Sequence, residues 1–282
     1  MTTATILNGK QLASSIKTSL KEKISNHKQK PTLAVIIVGN NPASETYVRS
    51  KEKACLETGI NSKTYKLDEN IKEAELLELI DLLNKDNDVN GILVQLPLPS
   101  HINTDHILHA ITPIKDVDGF HPLNTGLLLK KNPKAFIPCT PKGILKLLHL
   151  AKKDLTGLNA VVVGRSQIVG LPIAHLLINE NCTVTVTHSK TKNLKEICKS
   201  ADILIAALGK TEFITKDYIK ENSIIIDVGI NRTTEGLKGD VKFSDAIDLC
   251  SHITPVPGGV GPMTIAMLLE NTYEAFLSQT NS

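Results

Sequence analysis

Short apolar runs rich in β-branched residues, each followed by a helical pattern, constrain the fold of this 282-residue sequence more than any other feature. The runs lie at residues 33–38, 91–95, 160–163, 183–187, 203–206 and 224–228. Strands that are apolar along their whole length and alternate with helices are typical of parallel sheets covered on both faces. We therefore expect an α/β protein whose second half is a doubly wound, nucleotide-binding fold.

Two helices are predicted in the first half. The first follows residue 40, because Asn41 can cap its N-terminus, Pro42 suits its first turn and Gly59 is a typical stop. The second is amphipathic and covers residues 71–83. Together with the two strands, these helices predict a first α/β domain.

The boundary between two domains is predicted from the middle of the chain. Residues 114–138 are rich in Pro, Gly, Asn and Lys and lack a long periodic run, which is typical of a connector. Thr140 is expected to cap a new helix with Pro141 at its first position. We expect one domain from residues 1–138 plus a returning C-terminal helix (263–282), and a second, Rossmann-like domain from residues 139–262.

Composition argues against several classes of protein. The sequence has no Trp, only 3% aromatic residues and a net charge of +3 without a basic tail, so a nucleic-acid partner is not expected. Five widely spaced cysteines, without a CxxC pair, indicate neither a disulfide framework nor a metal site and fit a reducing compartment. The N-terminus becomes polar too early for a secretory signal, and no apolar run approaches membrane-spanning length. We therefore expect a cytoplasmic protein without a membrane partner.

The loop Gly164-Arg165-Ser166-Gln167-Ile168-Val169-Gly170 is a candidate nucleotide site, because it joins an apolar strand to a helix predicted to begin near Ile168. Such a loop brings the backbone close to a pyrophosphate at a helix N-terminus. It departs from the usual GxGxxG pattern, since Ser166 replaces the second glycine and the last glycine is one position late. An ordinary strand-to-helix turn remains an alternative at this point.

The following strand favours NADP over NAD. NAD sites usually carry an acidic residue about 20 residues after the loop, which binds the ribose 2′-hydroxyl. Residues 181–195 contain no Asp or Glu, and the strand ends in Thr187-His188-Ser189-Lys190. Hydroxyl and cationic groups, with Arg165 from the first loop, would accept a 2′-phosphate that a carboxylate would repel.

Four residues of the first half are candidates for the chemical site. Tyr47 and Lys51 lie four apart on the predicted helix and so share a face. Gln95 ends the strand at 91–95, and Asp118 lies in the connector. A solvated helix face and an ordinary turn are the alternatives for the helix pair and for Asp118. Free lysine amines are protonated at neutral pH, so a lysine can act as a base only if burial or cationic neighbours lower its pKa.

A further loop, residues 254–264, combines three glycines with three prolines. This composition predicts either a rigid hinge or a wall of the substrate site.

Five segments resemble the bifunctional methylenetetrahydrofolate dehydrogenase/methenyltetrahydrofolate cyclohydrolase family, and they occur in that family's order. The segments are YVRSK (47–51), ILVQLPLP (92–99), KDVDG (115–119), PCTP (138–141) and PVPGGVGPM (255–263). The likeness runs from near residue 4 to near residue 278. It implies an N-terminal folate-binding catalytic domain, a Rossmann-like NADP-binding domain and a homodimer formed through the second domain.

The resemblance also implies residue roles. Lys51 looks like the family's catalytic lysine, and Gln95 looks like the residue that holds and tunes this lysine. Tyr47 looks like a residue that lines the folate site. Asp118 looks like the carboxylate that binds the pterin. The remaining substrate contacts implied are Val94, Leu96, Pro257, Gly258 and Gly259. The cofactor contacts implied are Gly164, Arg165, Ser166, Ser189 and Ile230.

The implied activity has two steps. Hydride leaves the methylene group of 5,10-methylenetetrahydrofolate for NADP⁺, and water then opens the methenyl product to 10-formyltetrahydrofolate, with Lys51 handling proton transfer. The alternatives are a shikimate-dehydrogenase-like NADP enzyme, a family member that keeps one of the two activities, and a nucleotide-sensing module without turnover.

Overall fold

The computed structural model describes residues 3–280, which form two compact units. The first unit combines the chain up to Ala13 with Thr140–Thr264, and the second combines Ser14–Cys139 with the chain from Ile265 onward. The sequence predicted instead that all residues before 139 belong with the C-terminal helix. Residues 3–13 depart from this prediction, because Thr5 and Ile6 form a strand that pairs with His252 and Ile253 of the first unit.

Within residues 3–280 strands and helices alternate along much of the chain, but three successive helices cover residues 104–151 and three successive strands cover residues 224–238. The strands are β1 (Thr5–Ile6), β2 (Thr32–Val38), β3 (Asn61–Leu67), β4 (Gly91–Val94), β5 (Asn159–Val163), β6 (Thr183–Thr187), β7 (Ile203–Ala206), β8 (Ile224–Asp227), β9 (Asn231–Thr233), β10 (Gly236–Lys238) and β11 (His252–Ile253). The α-helices are α1 (Gly9–Ser25), α2 (Pro42–Thr58), α3 (Glu73–Lys85), α4 (Thr104–Ala110), α5 (Pro122–Leu129), α6 (Cys139–Ala151), α7 (Gly170–Asn179), α8 (Leu194–Lys199), α9 (Phe243–Ala246) and α10 (Val260–Thr280).

The first unit contains a six-stranded parallel sheet in the order β1-β11-β8-β7-β5-β6. The chain runs outward from β5 to β6 and then returns to β7 on the other side of β5. The strand order therefore reverses between β5 and β7, where open α/β sheets bind their ligands. The strands β7 and β8 are buried along their whole length, which confirms the predicted doubly wound pattern.

The second unit contains a three-stranded parallel sheet in the order β3-β2-β4. Its central strand, β2, is buried at every residue, whereas the edge strand β3 is mostly exposed. The register pairs Ile36 of β2 with Val94 of β4, so the loops that follow these two strands leave the same edge of the sheet. Helix α10 contributes its residues from Ile265 onward to this unit.

The local signals around α2 are confirmed. The Asn41 side chain accepts hydrogen bonds from the backbone nitrogens of Ala43 at 2.9 Å and Ser44 at 3.2 Å. Gly59 ends the helix in the left-handed region, with φ of 81°. The second predicted helix, at residues 71–83, is observed as α3 two residues later, over Glu73–Lys85.

Two local predictions in the middle of the chain are wrong. The connector at residues 114–138 contains helix α5, which His121 caps by accepting a hydrogen bond from the Leu123 nitrogen at 3.0 Å. Helix α6 begins at Cys139, so Thr140 lies inside its first turn and does not cap it. The Thr140 hydroxyl instead forms a 2.9 Å hydrogen bond with the Thr264 hydroxyl.

Candidate active site

The Lys51 amine forms the centre of the candidate site in the second unit. Lys51 lies on α2 with only 9% of its surface exposed, and its Nζ donates a 2.9 Å hydrogen bond to Gln95 Oε1. Gln95 follows β4 directly, and its backbone nitrogen donates to the Ile36 carbonyl at 2.8 Å. Its amide nitrogen donates to the Leu96 carbonyl at 2.8 Å, so the other end of the amide faces the lysine. The amide therefore orients the amine, as a neighbouring hydrogen-bond partner does for a buried charge.

Tyr47 lies one helical turn before Lys51 on α2. Its relative exposure is 39%, far above that of the lysine. Residues four apart on a helix share a face, so the tyrosine extends this face from the buried amine toward solvent.

The Asp118 carboxyl belongs to the same electrostatic environment as the lysine. Burial raises the pKa of Asp118, and the positive charge of Lys51 opposes this increase. The negative charge of Asp116 raises the pKa of Asp118 further, while a hydrogen bond with the Cys139 thiol lowers it. The structure thus brings together Lys51, Gln95 and Asp118, which lie far apart in the sequence.

The turn that presents Asp118 depends on Asp116, a residue that the sequence analysis missed. The buried Asp116 carboxylate accepts backbone hydrogen bonds from Gly119 at 3.1 Å, Phe120 at 3.1 Å and His121 at 2.8 Å. It also accepts a 2.8 Å bond from the Asn124 side chain. An aspartate three residues before a glycine is a known turn pattern and could have indicated this role.

Gly119 has a φ of +75°, and a Cβ there would lie 2.6 Å from the Phe136 carbonyl oxygen. A side chain at this position would be strained and would collide with the segment at residues 136–138. The turn after Asp118 therefore requires glycine.

The other predicted substrate residues lie in both units. Val94 is buried and Leu96 half-buried, on either side of Gln95 in the second unit. Pro257, Gly258 and Gly259 lie in the first unit, in the loop between β11 and α10. The Gly258 carbonyl accepts a 2.9 Å hydrogen bond from the Lys10 nitrogen, which fixes this loop to the start of α1.

The predicted nucleotide loop follows β5 at the point where the strand order reverses. Gly164 has a φ of +131°, and a Cβ there would lie 2.2 Å from the Ala207 carbonyl oxygen in the loop after β7. A Cβ on Gly170 would lie 2.3 Å from the Gly164 carbonyl oxygen. The helix begins at Gly170 and not near Ile168 as predicted, because the late glycine allows the helix start to pack directly on the loop.

Ser166 stands where the standard motif has its second glycine. Its Oγ accepts hydrogen bonds from the backbone nitrogens of Val169 and Gly170, both at 3.2 Å. The serine therefore satisfies two N–H groups at the start of α7, as capping side chains do. Arg165 and Ser166 are both exposed at the carboxyl edge of the sheet.

The other two predicted cofactor residues follow neighbouring strands of the same parallel sheet. Ser189 is exposed in the loop after β6, and Ile230 follows β8 with a relative exposure of 46%. Since all these strands are parallel, the loops after β5, β6, β7 and β8 leave the same edge of the sheet.

Two buried carboxylates that the sequence analysis missed hold these loops. Asp240 accepts backbone hydrogen bonds from Leu208 at 2.6 Å, Gly209 at 2.9 Å and Lys210 at 2.8 Å, and a side-chain bond from Asn231 at 3.0 Å. It thereby joins the loop after β7 to the segment beside Ile230.

Asp227, at the end of β8, is the second of these carboxylates. It accepts backbone hydrogen bonds from Gly229, Asp240 and Val241, each at 2.9 Å. Burial raises the pKa of Asp227 to about 6, against the effect of these bonds. Sequence patterns give little indication of such roles, because most of the donors are backbone N–H groups that lie 13 residues or more from the carboxylate.

Residues 3–280 hold no group of three or more His, Cys, Asp or Glu side chains that could bind a metal ion. Across the same residues, no helix has both the length and the hydropathy that crossing a membrane requires.

Two family models match the chain. Residues 7–118 match the model described as "Tetrahydrofolate dehydrogenase/cyclohydrolase, catalytic domain". Residues 138–280 match "Tetrahydrofolate dehydrogenase/cyclohydrolase, NAD(P)-binding domain". Together these matches cover most of the chain, and they follow the order of the two predicted domains.

Individual relatives are similar over nearly the whole chain. "Bifunctional protein FolD" from Campylobacter concisus is 55% identical over 274 residues, which cover 96% of both proteins. The crystal structure of the bifunctional FolD dehydrogenase/cyclohydrolase from Campylobacter jejuni has a TM-score of 0.96 at 52% identity and covers 98% of this chain and 99% of that one. The FolD structure from Trypanosoma brucei, complexed with NADP cofactor and an inhibitor, has a TM-score of 0.95 at 36% identity and covers both chains completely, at 100%.

The close approach at Gly164 is testable. Gly164→Ala should lower the free energy of unfolding by about 2 kcal/mol or more, because the alanine adds strain at positive φ and a collision with the Ala207 carbonyl. Urea unfolding measures the change. Gly126→Ala is the control, since a Cβ there meets no atom within 4 Å. Equal stability of the two variants would contradict the packing described for the loop.

Proposed function

The chain belongs to the tetrahydrofolate dehydrogenase/cyclohydrolase family, and on that basis we propose its reaction. The enzyme oxidises 5,10-methylenetetrahydrofolate to 5,10-methenyltetrahydrofolate with NADP⁺ and then hydrolyses this product to 10-formyltetrahydrofolate. Both activities are part of one-carbon metabolism. The observation that carries the proposal is the buried Lys51 amine, held by Gln95 within the electrostatic influence of Asp118.

Lys51 is the proposed proton-transfer residue of the hydrolysis. Water adds to the methenyl carbon, the bond from that carbon to N5 breaks, and one proton is released overall. A buried amine can accept and return protons at the reacting atoms only while its orientation is fixed. Gln95 supplies this orientation through its 2.9 Å hydrogen bond to the amine.

Asp118 is the proposed partner of the pterin ring. A carboxylate has two acceptor oxygens, which match the paired N–H donors of a 2-amino-4-oxo pterin. Burial raises the pKa of Asp118, and the nearby positive charge of Lys51 opposes this rise. Tyr47, with its exposed ring on the same helix as Lys51, is proposed to contact the folate. Val94 and Leu96 are the proposed substrate contacts of the second unit, and Pro257, Gly258 and Gly259 are those of the first unit.

The residues of the first unit fit a dinucleotide. The packing of Gly164 and Gly170, which leaves no room for a Cβ at either position, suits close approach of the backbone to a pyrophosphate. Arg165, Ser166, Ser189 and Ile230 are the proposed contacts, and residues 181–195 contain no carboxylate to repel a 2′-phosphate. When bound, NADP⁺ supplies the acceptor for the hydride. The Trypanosoma brucei relative, solved with NADP, supports this choice of cofactor.

The alternatives are less favoured. A shikimate-type dehydrogenase would not account for matches to both domains of the tetrahydrofolate family. A sensing module without turnover would have no need of the ordered Lys51–Gln95 pair. A family member with only one activity is distinguished by following methenyl absorbance and NADPH formation together.

We also propose that the protein is a cytoplasmic homodimer formed through its first unit. The edge strand β6 supports this assembly, because it ends the sheet order with β5 as its neighbour. Edge strands offer backbone donors and acceptors to a second chain.

Replacing the amine tests the role of Lys51. Lys51→Met should reduce methenyltetrahydrofolate hydrolysis by about a hundredfold or more, because the proton-transfer group is lost while a similar side-chain length remains. The decay of methenyl absorbance measures this step. Lys53→Met, at an exposed position of the same helix, is the matched control and should keep full activity. Full hydrolysis by Lys51→Met, in protein with a normal unfolding transition, would refute the assignment.

A negative charge introduced at Ser189 tests the proposed preference for NADP over NAD. The wild-type enzyme should have a higher kcat/KM for NADP than for NAD. Ser189→Asp should reduce kcat/KM for NADP by about tenfold or more, because a carboxylate would repel the 2′-phosphate. Ser189→Ala removes the hydroxyl without adding charge and separates the two effects. Equal use of NAD and NADP by the wild-type enzyme would contradict the proposed preference.

The assembly is tested by light scattering on the purified protein. A homodimer of the 30.6 kDa chain should give twice the chain mass. A mass that stays at one chain across micromolar concentrations would exclude the proposed dimer.

A further inference from the structure

Asn271 is a fully buried amide on the C-terminal helix α10, with 0% exposure. Its Nδ2 donates hydrogen bonds to two backbone carbonyls, Val117 at 2.8 Å and Ile137 at 3.0 Å. Buried carbonyls without a hydrogen-bond donor are unfavourable, so a side chain that donates to two of them favours one arrangement of these segments.

The two carbonyls belong to the segments that form the Asp118 turn. Val117 precedes Asp118 directly, and Ile137 packs against the residue that follows it, since a Cβ on Gly119 would lie 2.8 Å from the Ile137 carbonyl carbon. The amide therefore joins the start of the turn to the segment on which the turn rests. Asp116 fixes the turn from within, and Asn271 fixes it from α10.

Cys139 strengthens the same connection. Its Sγ donates a 3.4 Å hydrogen bond to the Val117 carbonyl, and its thiol also interacts with the Asp118 carboxyl. Asn271 Nδ2 lies 3.7 Å from this sulfur. The Val117 carbonyl thus receives donors from two residues, of which Cys139 also contacts the carboxyl group.

We propose that Asn271 is a positioning residue that fixes the Asp118 carboxyl in the geometry for binding the pterin. The proposal rests on the role proposed above for Asp118. Displacement of a binding group by about 1 Å can reduce activity about a hundredfold, so a change at Asn271 should weaken folate binding although the amide does not contact the substrate. The Lys51–Gln95 pair and the cofactor loops have their own hydrogen bonds and should be unaffected.

The experiment compares steady-state constants of Asn271→Ala with those of Thr272→Val. Thr272 is equally buried on the same helix, but its hydroxyl bonds within that helix, to the Leu268 carbonyl at 2.8 Å. Asn271→Ala should raise KM for methylenetetrahydrofolate about tenfold or more, with KM for NADP unchanged. Thr272→Val should leave both KM values unchanged. A rise in folate KM of the same size in both variants would show a general packing effect and overturn the proposal.

Asn271→Ser provides a second measurement if the alanine variant does not fold. Serine keeps one donor of the two, so it should give an intermediate folate KM. Unchanged folate KM in the folded serine variant would reject the positioning role.

Asp118→Ala separates a failure of this proposal from a failure of the proposed function. The double variant Asp118→Ala/Asn271→Ala should show no greater folate KM than Asp118→Ala alone, because the amide acts through the carboxyl. If Asp118→Ala leaves folate KM unchanged, Asp118 does not bind the pterin, and the positioning role of Asn271 is rejected as well. If Asp118→Ala raises folate KM and Asn271→Ala does not, only the role of Asn271 is wrong. Additive effects on folate KM in the double variant would show that Asn271 acts independently of Asp118, and they would also reject the positioning role of Asn271.

Discussion

Buried carboxylates that accept backbone N–H groups hold the functional loops of this protein. Asp116 does so for the turn that presents Asp118, and Asp240 does so for the loop after β7. A loop has no regular ladder of hydrogen bonds, so its N–H groups need acceptors when they are buried. An ionised carboxylate is a strong acceptor and can serve several of them. The price of this arrangement is desolvation, which raises the pKa of Asp116.

Parallel strands determine where the chemistry lies in each unit. In the second unit, Gln95 follows β4 and meets the amine of Lys51 from the helix after β2. In the first unit, Gly164 follows β5 and packs against the loop after β7. The same rule, that functional loops lie beyond the carboxyl ends of the strands, thus applies to both sheets. It places the proposed proton-transfer residue in one unit and the proposed cofactor contacts in the other.

Continuous apolar runs made the main strands predictable. The strands β6 and β7 begin and end at the predicted residues. Strand β7 is buried along its whole length, and the edge strand β6 is rich in β-branched residues. The two-residue strands β1 and β11 are too short to show any period, and β1 depends on a partner from the other end of the chain. Lys51 and Gln95 were predicted from helix spacing and a strand end. Asp116, Asp240 and Asn271 were missed, because their partners are backbone groups brought close only by the tertiary fold.

The order of the chain has a consequence for how the protein is made. Neither unit is a continuous piece of polypeptide, since each takes residues from both sides of position 139. During synthesis β1 leaves the ribosome long before its partner strand β11 has been made. The Asn90 carbonyl likewise lacks its partner, the Gln279 side chain, until 189 further residues have been added. Contacts between such distant residues cost chain entropy and form slowly. The core of the first unit therefore stays incomplete until β11 emerges, and that of the second until the last helix emerges, so apolar surface is exposed in both intervals.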